Sequence, residues 1–402
     1  MTMPSFSPKK IVLFLLFLLF SPHLSAKEKT HFLIAPRCLL ENLEGNYQTL
    51  AKSTSLSLVA TGNIDSFIKA KHVPRSSPCG GFINVTHAWL SSHQKSAAFL
   101  QAHEMPPQYH QPAGRHYSIQ YQMQVQQLLA QLNPQELWDD LRTFSDTSQF
   151  PNRFQNSASG AKAAAWLQDK VRNLARINNR DDVTISTLPS GMLQDSVVVK
   201  IGNSDAAGIV IGAHMDTYDG IKPGADDDGS GCMTVMSIAR TLLQSGMQFK
   251  RPIYLVWYAA EEFGLIGSQT VVSDFLTRQI PVEAVLQLDM TGYPYQKDPK
   301  NKKRLWLVTD GVNPDLTDYL KTLITTYVKK SWATTKCGYA CSDHVSWTMK
   351  GFPTAFPFES KLKFDNPAIH TSNDKIDNLD PIHMENYAKL GLAFAVELAE
   401  PV

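Results

Sequence analysis

His214 and Asp216 stand two residues apart, ahead of the acidic run Asp226-Asp227-Asp228 and the adjacent pair Glu261-Glu262; Asp289 and His370 follow later in the chain. Imidazole nitrogens and carboxylate oxygens are donors that zinc takes from proteins, and a catalytic zinc keeps one position open for water. Two such ions side by side can activate that water and hold the substrate carbonyl. The residue types therefore point to a two-zinc hydrolytic site. Cobalt or manganese would also suit these donors, because affinity alone does not select among such metals.

Each member has its own chemistry. On an extended backbone, positions i and i+2 face the same way. Asp216 can then accept the proton on the second ring nitrogen of His214, which fixes the tautomer and makes the ligand more basic. The acidic run lies between Pro223-Gly224-Ala225 and Gly229-Ser230-Gly231, at the head of a helical pattern. Three carboxylates exceed what a helix dipole asks for, and one of them bridging two cations would account for the surplus. Glu261-Glu262 follows an apolar run, where adjacent acids are costly unless paired or metal-bound. Neighbours cannot both address one metal in the same way, so one reads as a ligand and the other as a general base over the water. Asp289 closes a further apolar run. His370 sits in Ile369-His370-Thr371, while the remaining histidines, His344 among them, have no such support.

The elements that must position these residues alternate. Residues 196–201, 208–213, 253–260, 282–288, 305–308 and 354–358 read as strands. Helical period runs through 118–132, 134–145, 157–175, 229–244, 264–276, 315–328 and 381–398. Such alternation implies a three-layer α/β/α sandwich with a mixed, mostly parallel central sheet. Sites in these sheets lie outside the carboxyl ends of strands, and His214, Glu261-Glu262 and Asp289 all fall there.

The chain has 402 residues, 43% of them hydrophobic, with 38 basic and 37 acidic side chains for a net charge of +1. That balance argues against a nucleic-acid partner, which asks for a basic excess. Lys9-Lys10, an apolar run over 11–20 and Leu24-Ser25-Ala26 read as a signal peptide over 1–26, too short to span a bilayer. The mature protein is then expected to be exported, extracellular or periplasmic, with no membrane attachment. Residues 27–101 read as a small separate α+β unit, and the Pro-, His- and Gln-rich stretch 102–115 as an exposed linker open to proteolysis. Export permits disulfides: Cys337 and Cys341 can close a small loop, Cys38 and Cys79 can pair across the N-terminal unit, and Cys232 reads as a buried free thiol.

The ordered set His-Met-Asp, Pro-Gly-Ala-Asp-Asp-Asp, Ala-Ala-Glu-Glu-x-Gly-Leu-x-Gly-Ser, Leu-Asp-Met-Thr, Cys-Gly-Tyr-Ala-Cys-Ser-Asp-His and Ile-His-Thr resembles the secreted bacterial leucyl aminopeptidases of the M28 metallopeptidase family, the two-zinc Vibrio type, from about Pro134 to the C-terminus. The resemblance implies His214, Asp227 (bridging), Glu262, Asp289 and His370 as ligands of two zinc ions. It pairs Asp289 with His214 and His370 with Glu262. It implies Glu261 as general base, Asp216 as the carboxylate behind His214, and Tyr339 as a donor to the tetrahedral intermediate. It also implies a Cys337–Cys341 disulfide and a side-chain pocket of Met290, Tyr339, Phe356, Phe358, Leu362 and Ile369.

One position departs from the family. Asp365, with the aromatic Phe364 beside it, falls where relatives carry an aromatic residue at the pocket edge; a shift of one residue exchanges the two, so Lys or Arg is the alternative to a leucine-like preference at the substrate N-terminus. A single-zinc glutaminyl cyclase on the same fold is a second alternative. The family pattern further implies a monomer whose residues 27–115 are a propeptide that covers the site until another protease removes it, leaving 116–402 as the catalytic domain.

Overall fold

The computed structural model describes residues 29–41, 43, 45–71, 79–104, 117–295 and 304–402. The expected signal peptide and most of the expected linker lie outside the described residues. Near the N-terminus, β1 (His31–Pro36), β2 (Tyr47–Lys52), β3 (Leu56–Thr61) and β4 (Ile83–Asn84) form a four-stranded sheet in the order β2-β3-β1-β4, antiparallel throughout. The Cys38–Cys79 disulfide ties its parts together.

The larger sheet contains β5 (Val183–Leu188), β6 (Ser196–Ile201), β7 (Gly208–His214), β8 (Ile253–Tyr258) and β9 (Val282–Gln287). Further along are β10 (Arg304–Val308), β11 (Ser331–Thr335), β12 (Thr354–Ala355) and β13 (Pro357–Phe358). Six strands run in the order β12-β9-β7-β8-β6-β5, and a three-stranded sheet, β11-β10-β13, lies beside them. The neighbours β12, β9, β7 and β8 are parallel; β6 and β5 add an antiparallel edge.

Strand alternation builds the layers. Val197, Val199, Ile209, Ile211, Leu255 and Trp257 point into a cluster with the helices Gly231–Ser245 and Pro381–Ala399. Val198, Val210, Tyr254, Val256 and Tyr258 face the other way, against Val271, Val272 and Phe275 of the helix Ile266–Thr277. Both faces are covered, as near-continuous apolar strands require.

Three expectations change. Residues 354–358 are two short strands in different sheets, β12 beside β9 and β13 beside β10. Pro357 lacks the N–H that an unbroken ladder would need. The expected helix over 118–132 is confined to Gln122–Leu129. That over 315–328 spans Pro314–Leu323 and ends in a wider turn, Ile324–Val328, closed by Lys329 in left-handed conformation.

Candidate active site

Because β7, β8 and β9 are adjacent and parallel, their carboxyl ends open on one edge. His214 is the last residue of β7, Glu261-Glu262 follow β8, and Asp289 follows β9. His214 Nε2 lies 3.0 Å from Asp227 Oδ1 and 3.6 Å from Asp289 Oδ1. On the other side, His370 Nε2 lies 2.5 Å from Asp227 Oδ2 and 2.8 Å from Glu262 Oε1. The two oxygens of Asp227 thus face two different imidazoles. Two groups of three donors result, His214–Asp228–Asp289 and Asp227–Glu262–His370, each with ligand atoms within 4.8 Å of one another.

Asp228 belongs to the first group by distance, but its oxygens already accept from the N–H groups of Gly231, Met290 and His214 at 2.9, 3.0 and 3.1 Å. It fastens the ends of β7 and β9 to the following helix. Asp216 does the same for β8: its oxygens accept from Glu261 N at 2.9 Å and Glu262 N at 3.2 Å. Its expected contact with His214 Nδ1 is 3.6 Å long, an electrostatic contact rather than a hydrogen bond. Met290, Ala260 and His370 all have positive φ, 60°, 55° and 60°. Such conformations are costly for residues with a Cβ and gather at functional sites.

The charge balance calls for cations. Burial opposes protonation of His370, yet Glu262 and Asp227 outweigh it and push it up to about 10. Burial likewise works against a charged His214, and Asp289, Asp216 and Asp227 raise it well above the usual imidazole range. Burial would raise Asp227, but the two imidazoles hold it well below the carboxylate range. A donor set that drags protons onto both histidines is one that metal ions fit. The residues that would hold them are His214, Asp289 and one Asp227 oxygen on one side, and Glu262, His370 and the other Asp227 oxygen on the opposite side. The cluster Cys337–Cys341–His344 is different, since its sulfurs form a disulfide.

Several supports carry no motif. Arg153 is fully buried and donates to the carbonyls of Met215, Pro223 and Gly224 at 2.9, 2.6 and 2.7 Å, and to Phe144 at 3.3 Å. It braces the loops of Asp216 and Asp227 together. Asp374 accepts from Asp226 N and Asp227 N at 3.1 Å, and Asn366 donates to Asp226 at 3.0 Å. Burial drives Asp226 up to about 7 and Glu359 well above the carboxylate range, and the two are hydrogen-bonded. Cys232 is the buried free thiol expected, donating to the His214 carbonyl.

Met290, Phe356, Phe358 and Cys337 form one apolar cluster with Val308 and Val312, and Cys341, Leu362 and Ile369 pack against it. Asp365 lies in the field of His370 and Asp227; burial pushes it up to about 7 while His370 pulls it back. Tyr339 is elsewhere. Its ring packs in a cluster with Ile34, Leu56, Leu58, Ile83 and Phe99 of the N-terminal unit. Its buried hydroxyl has no hydrogen-bond partner among the described residues. Its backbone pairs in parallel with Gly80: Gly81 N donates to Tyr339 O at 2.6 Å and Tyr339 N to Cys79 O at 3.1 Å. Asn84 N donates to the Gly264 carbonyl at 3.0 Å, just beyond Glu261-Glu262.

Residues 196–395 match the family model described as peptidase family M28. The chain is 39% identical to leucine aminopeptidase 1 of Emericella nidulans over 288 residues, 68% of this chain and 73% of that one. Among solved structures it is similar to the LapA aminopeptidase of Legionella pneumophila (36% identical, TM-score 0.83, 92% of this chain and 98% of that one). LapB of the same organism is similar too (38% identical, TM-score 0.83, 92% and 100%). The mostly parallel sheet, the groups of candidate metal donors at its strand ends and these matches together define a metallo-aminopeptidase. The chain belongs to peptidase family M28.

Proposed function

We propose that this protein is a secreted two-zinc aminopeptidase that removes a single N-terminal residue from peptides and proteins, preferring Leu or another large apolar residue. The observation that carries the reading is Asp227, whose two oxygens address separate His-containing groups. Bound zinc would supply Lewis acidity, making water a stronger acid and the scissile carbonyl a better electrophile. Glu261, held by Asp216 through its backbone N–H beside those groups, accepts the proton of the attacking water and returns it to the leaving amine. The free N-terminal ammonium of the substrate meets the carboxylates around the site, which restricts cleavage to one residue. The apolar cluster of Met290, Phe356 and Phe358 takes its side chain.

The N-terminal unit fits a removable propeptide that inhibits the enzyme. What supports this is the placement of Tyr339: it packs against the cluster that contains Ile34, Leu58 and Phe99 of the N-terminal unit, and its hydroxyl is buried with no hydrogen-bond partner among the described residues. Cleavage within the linker 102–115 by another protease would free it to donate to the charge that develops in the transition state. Export fits the two disulfides, and among the described residues no helix is long and apolar enough to cross a membrane. The working form is a monomer with no nucleic-acid partner.

A second reading, preference for Lys or Arg, is favoured by Asp365, a carboxylate beside the pocket. Leucine and lysine p-nitroanilides, each with and without an amino block, test these readings on the cleaved enzyme. Cleavage of the unblocked leucine substrate alone is expected. A lysine preference would select the second reading. No cleavage by zinc-loaded enzyme would overturn the aminopeptidase assignment in favour of a cyclase.

A further inference from the structure

The loop after β7 carries an aromatic residue that neither strand alternation nor the ligand pattern singles out. The Tyr218 ring lies over the His370 imidazole, with centroids 4.3 Å apart and planes 30° apart. Its hydroxyl is hydrogen-bonded to Glu262 and stands in the field of Asp227 and Glu261. Tyr218 therefore touches two of the three side chains of one donor group, Glu262 and His370 of Asp227–Glu262–His370, through two different parts of one residue.

Its loop is fixed on both sides. Thr217 Oγ1 accepts from Arg153 N at 2.9 Å. Asn152 donates to the Gly220 carbonyl at 2.8 Å, and Lys222 N to the Pro151 carbonyl at 2.9 Å. Gly224, with φ 52°, lets the Asp227 loop close on Thr217, because a Cβ there would meet Thr217 Cγ2 at 2.3 Å. The Tyr218 backbone is thus set by the scaffold, and the ring reaches inward from a supported position.

We propose that Tyr218 is a positioning residue for one half of the metal site: its O–H orients the Glu262 carboxylate and its ring fixes the His370 imidazole. An O–H donated to one carboxylate oxygen leaves the other free for a cation. A ring face against an imidazole limits rotation about its side-chain bonds. Partners of this kind typically set metal affinity by about 10–100-fold. His214 and Asp289 belong to the other donor group. This inference rests on the two-zinc reading above.

The test is metal binding by the full-length chain, stripped of metal and titrated with Zn²⁺ by calorimetry and with Co²⁺ by visible absorption. Wild type is expected to take two ions. Tyr218→Phe is expected to weaken one of them by about 10–100-fold, alter the Co²⁺ spectrum of that ion only, and leave the metal-free Tm unchanged. Tyr218→Ala, which also removes the ring, is expected to weaken the same ion further. Two ions held by Tyr218→Phe at wild-type affinity would overturn the proposed role of the hydroxyl, even if Tyr218→Ala binds poorly. Equal weakening of both ions would overturn its confinement to one half. A wild type that binds only one ion would instead bring down the two-zinc reading itself.

Discussion

Gly80 runs alongside Tyr339 so closely that a Cβ on Gly80 would lie 1.9 Å from the Tyr339 carbonyl oxygen. Gly338 is equally constrained, with φ 88° and a would-be Cβ 2.5 Å from the Cys79 carbonyl carbon. The two backbones cross where no side chain fits. The crossing also brings the N-terminal unit onto the one tyrosine that the family pattern assigns to catalysis.

Gly80→Ala should therefore loosen the N-terminal unit from the Tyr339 loop. In the uncleaved chain this variant is expected to hydrolyse leucine p-nitroanilide faster than uncleaved wild type. Equal latency in both would mean that inhibition does not pass through this crossing.

Replacing Glu261 by Gln removes the proton acceptor while keeping its shape. The expected loss in kcat is about 10²–10⁴-fold, with zinc content unchanged. A variant that turns over normally would show that another group carries the proton.

On the second reading, a preference for Lys or Arg, Asp365 would set how far basic residues are accepted. Its carboxylate can pair with a Lys or Arg side chain, an interaction of roughly 1.5–3 kcal/mol. Asp365→Asn should reduce hydrolysis of lysine p-nitroanilide by about tenfold or more and spare the leucine substrate. An unchanged ratio of the two would place Asp365 outside the side-chain pocket.

Arg153 satisfies four carbonyls with a buried guanidinium. Lysine cannot reproduce that fork. Since an unsatisfied buried group costs about 1–3 kcal/mol, Arg153→Lys should lower stability in urea by about 3 kcal/mol or more. A loss under about 1 kcal/mol would mean that the loops of Asp216 and Asp227 hold together without it.

Acid should destabilise the fold through two buried histidines outside the metal groups. Burial lowers His344 to about 3 and His383 to about 4, the latter with Nε2 donating to the Glu359 carbonyl at 2.9 Å. Between these values and the ordinary imidazole value of 6.5, the unfolded chain binds more protons than the folded one. Stability therefore rises with pH through that window and is lost as pH falls through it. For His383 the shift corresponds to about 3 kcal/mol. His383→Gln keeps a donor without titrating, so its Tm should depend less on pH between 6.5 and 4 than that of wild type. Parallel Tm profiles for the two proteins would contradict this.

The buried strands were legible because Val197-Val198-Val199, Ile209-Val210-Ile211 and Ile253–Tyr258 are apolar without interruption, and acids or His after the second and third of these have few other reasons to be there. The edge strand β5 was not, because Val183, Ile185 and Leu188 are its only apolar residues, they alternate with Thr and Ser, and none of its residues is fully buried. Arg153 and Asp374 left no trace in the sequence either. Both act on the backbone of residues far away in the chain, Arg153 on Gly224 and Asp374 on Asp226, 71 and 148 positions distant. Backbone carbonyls and amides carry no residue signature. The motif around Tyr339 was readable, but its seat among Ile34, Leu58 and Phe99 depends on how two units dock.

The proposed ligands His214, Glu262 and Asp289 descend from the ends of β7, β8 and β9, whereas the apolar residues proposed to meet a substrate side chain come mostly from the stretch between Phe356 and Ile369. Reactivity and taste are thus written in separate stretches of chain. On the proposed reading, a change of preferred substrate would need edits only in that later stretch and would leave the chemistry carried by the sheet untouched.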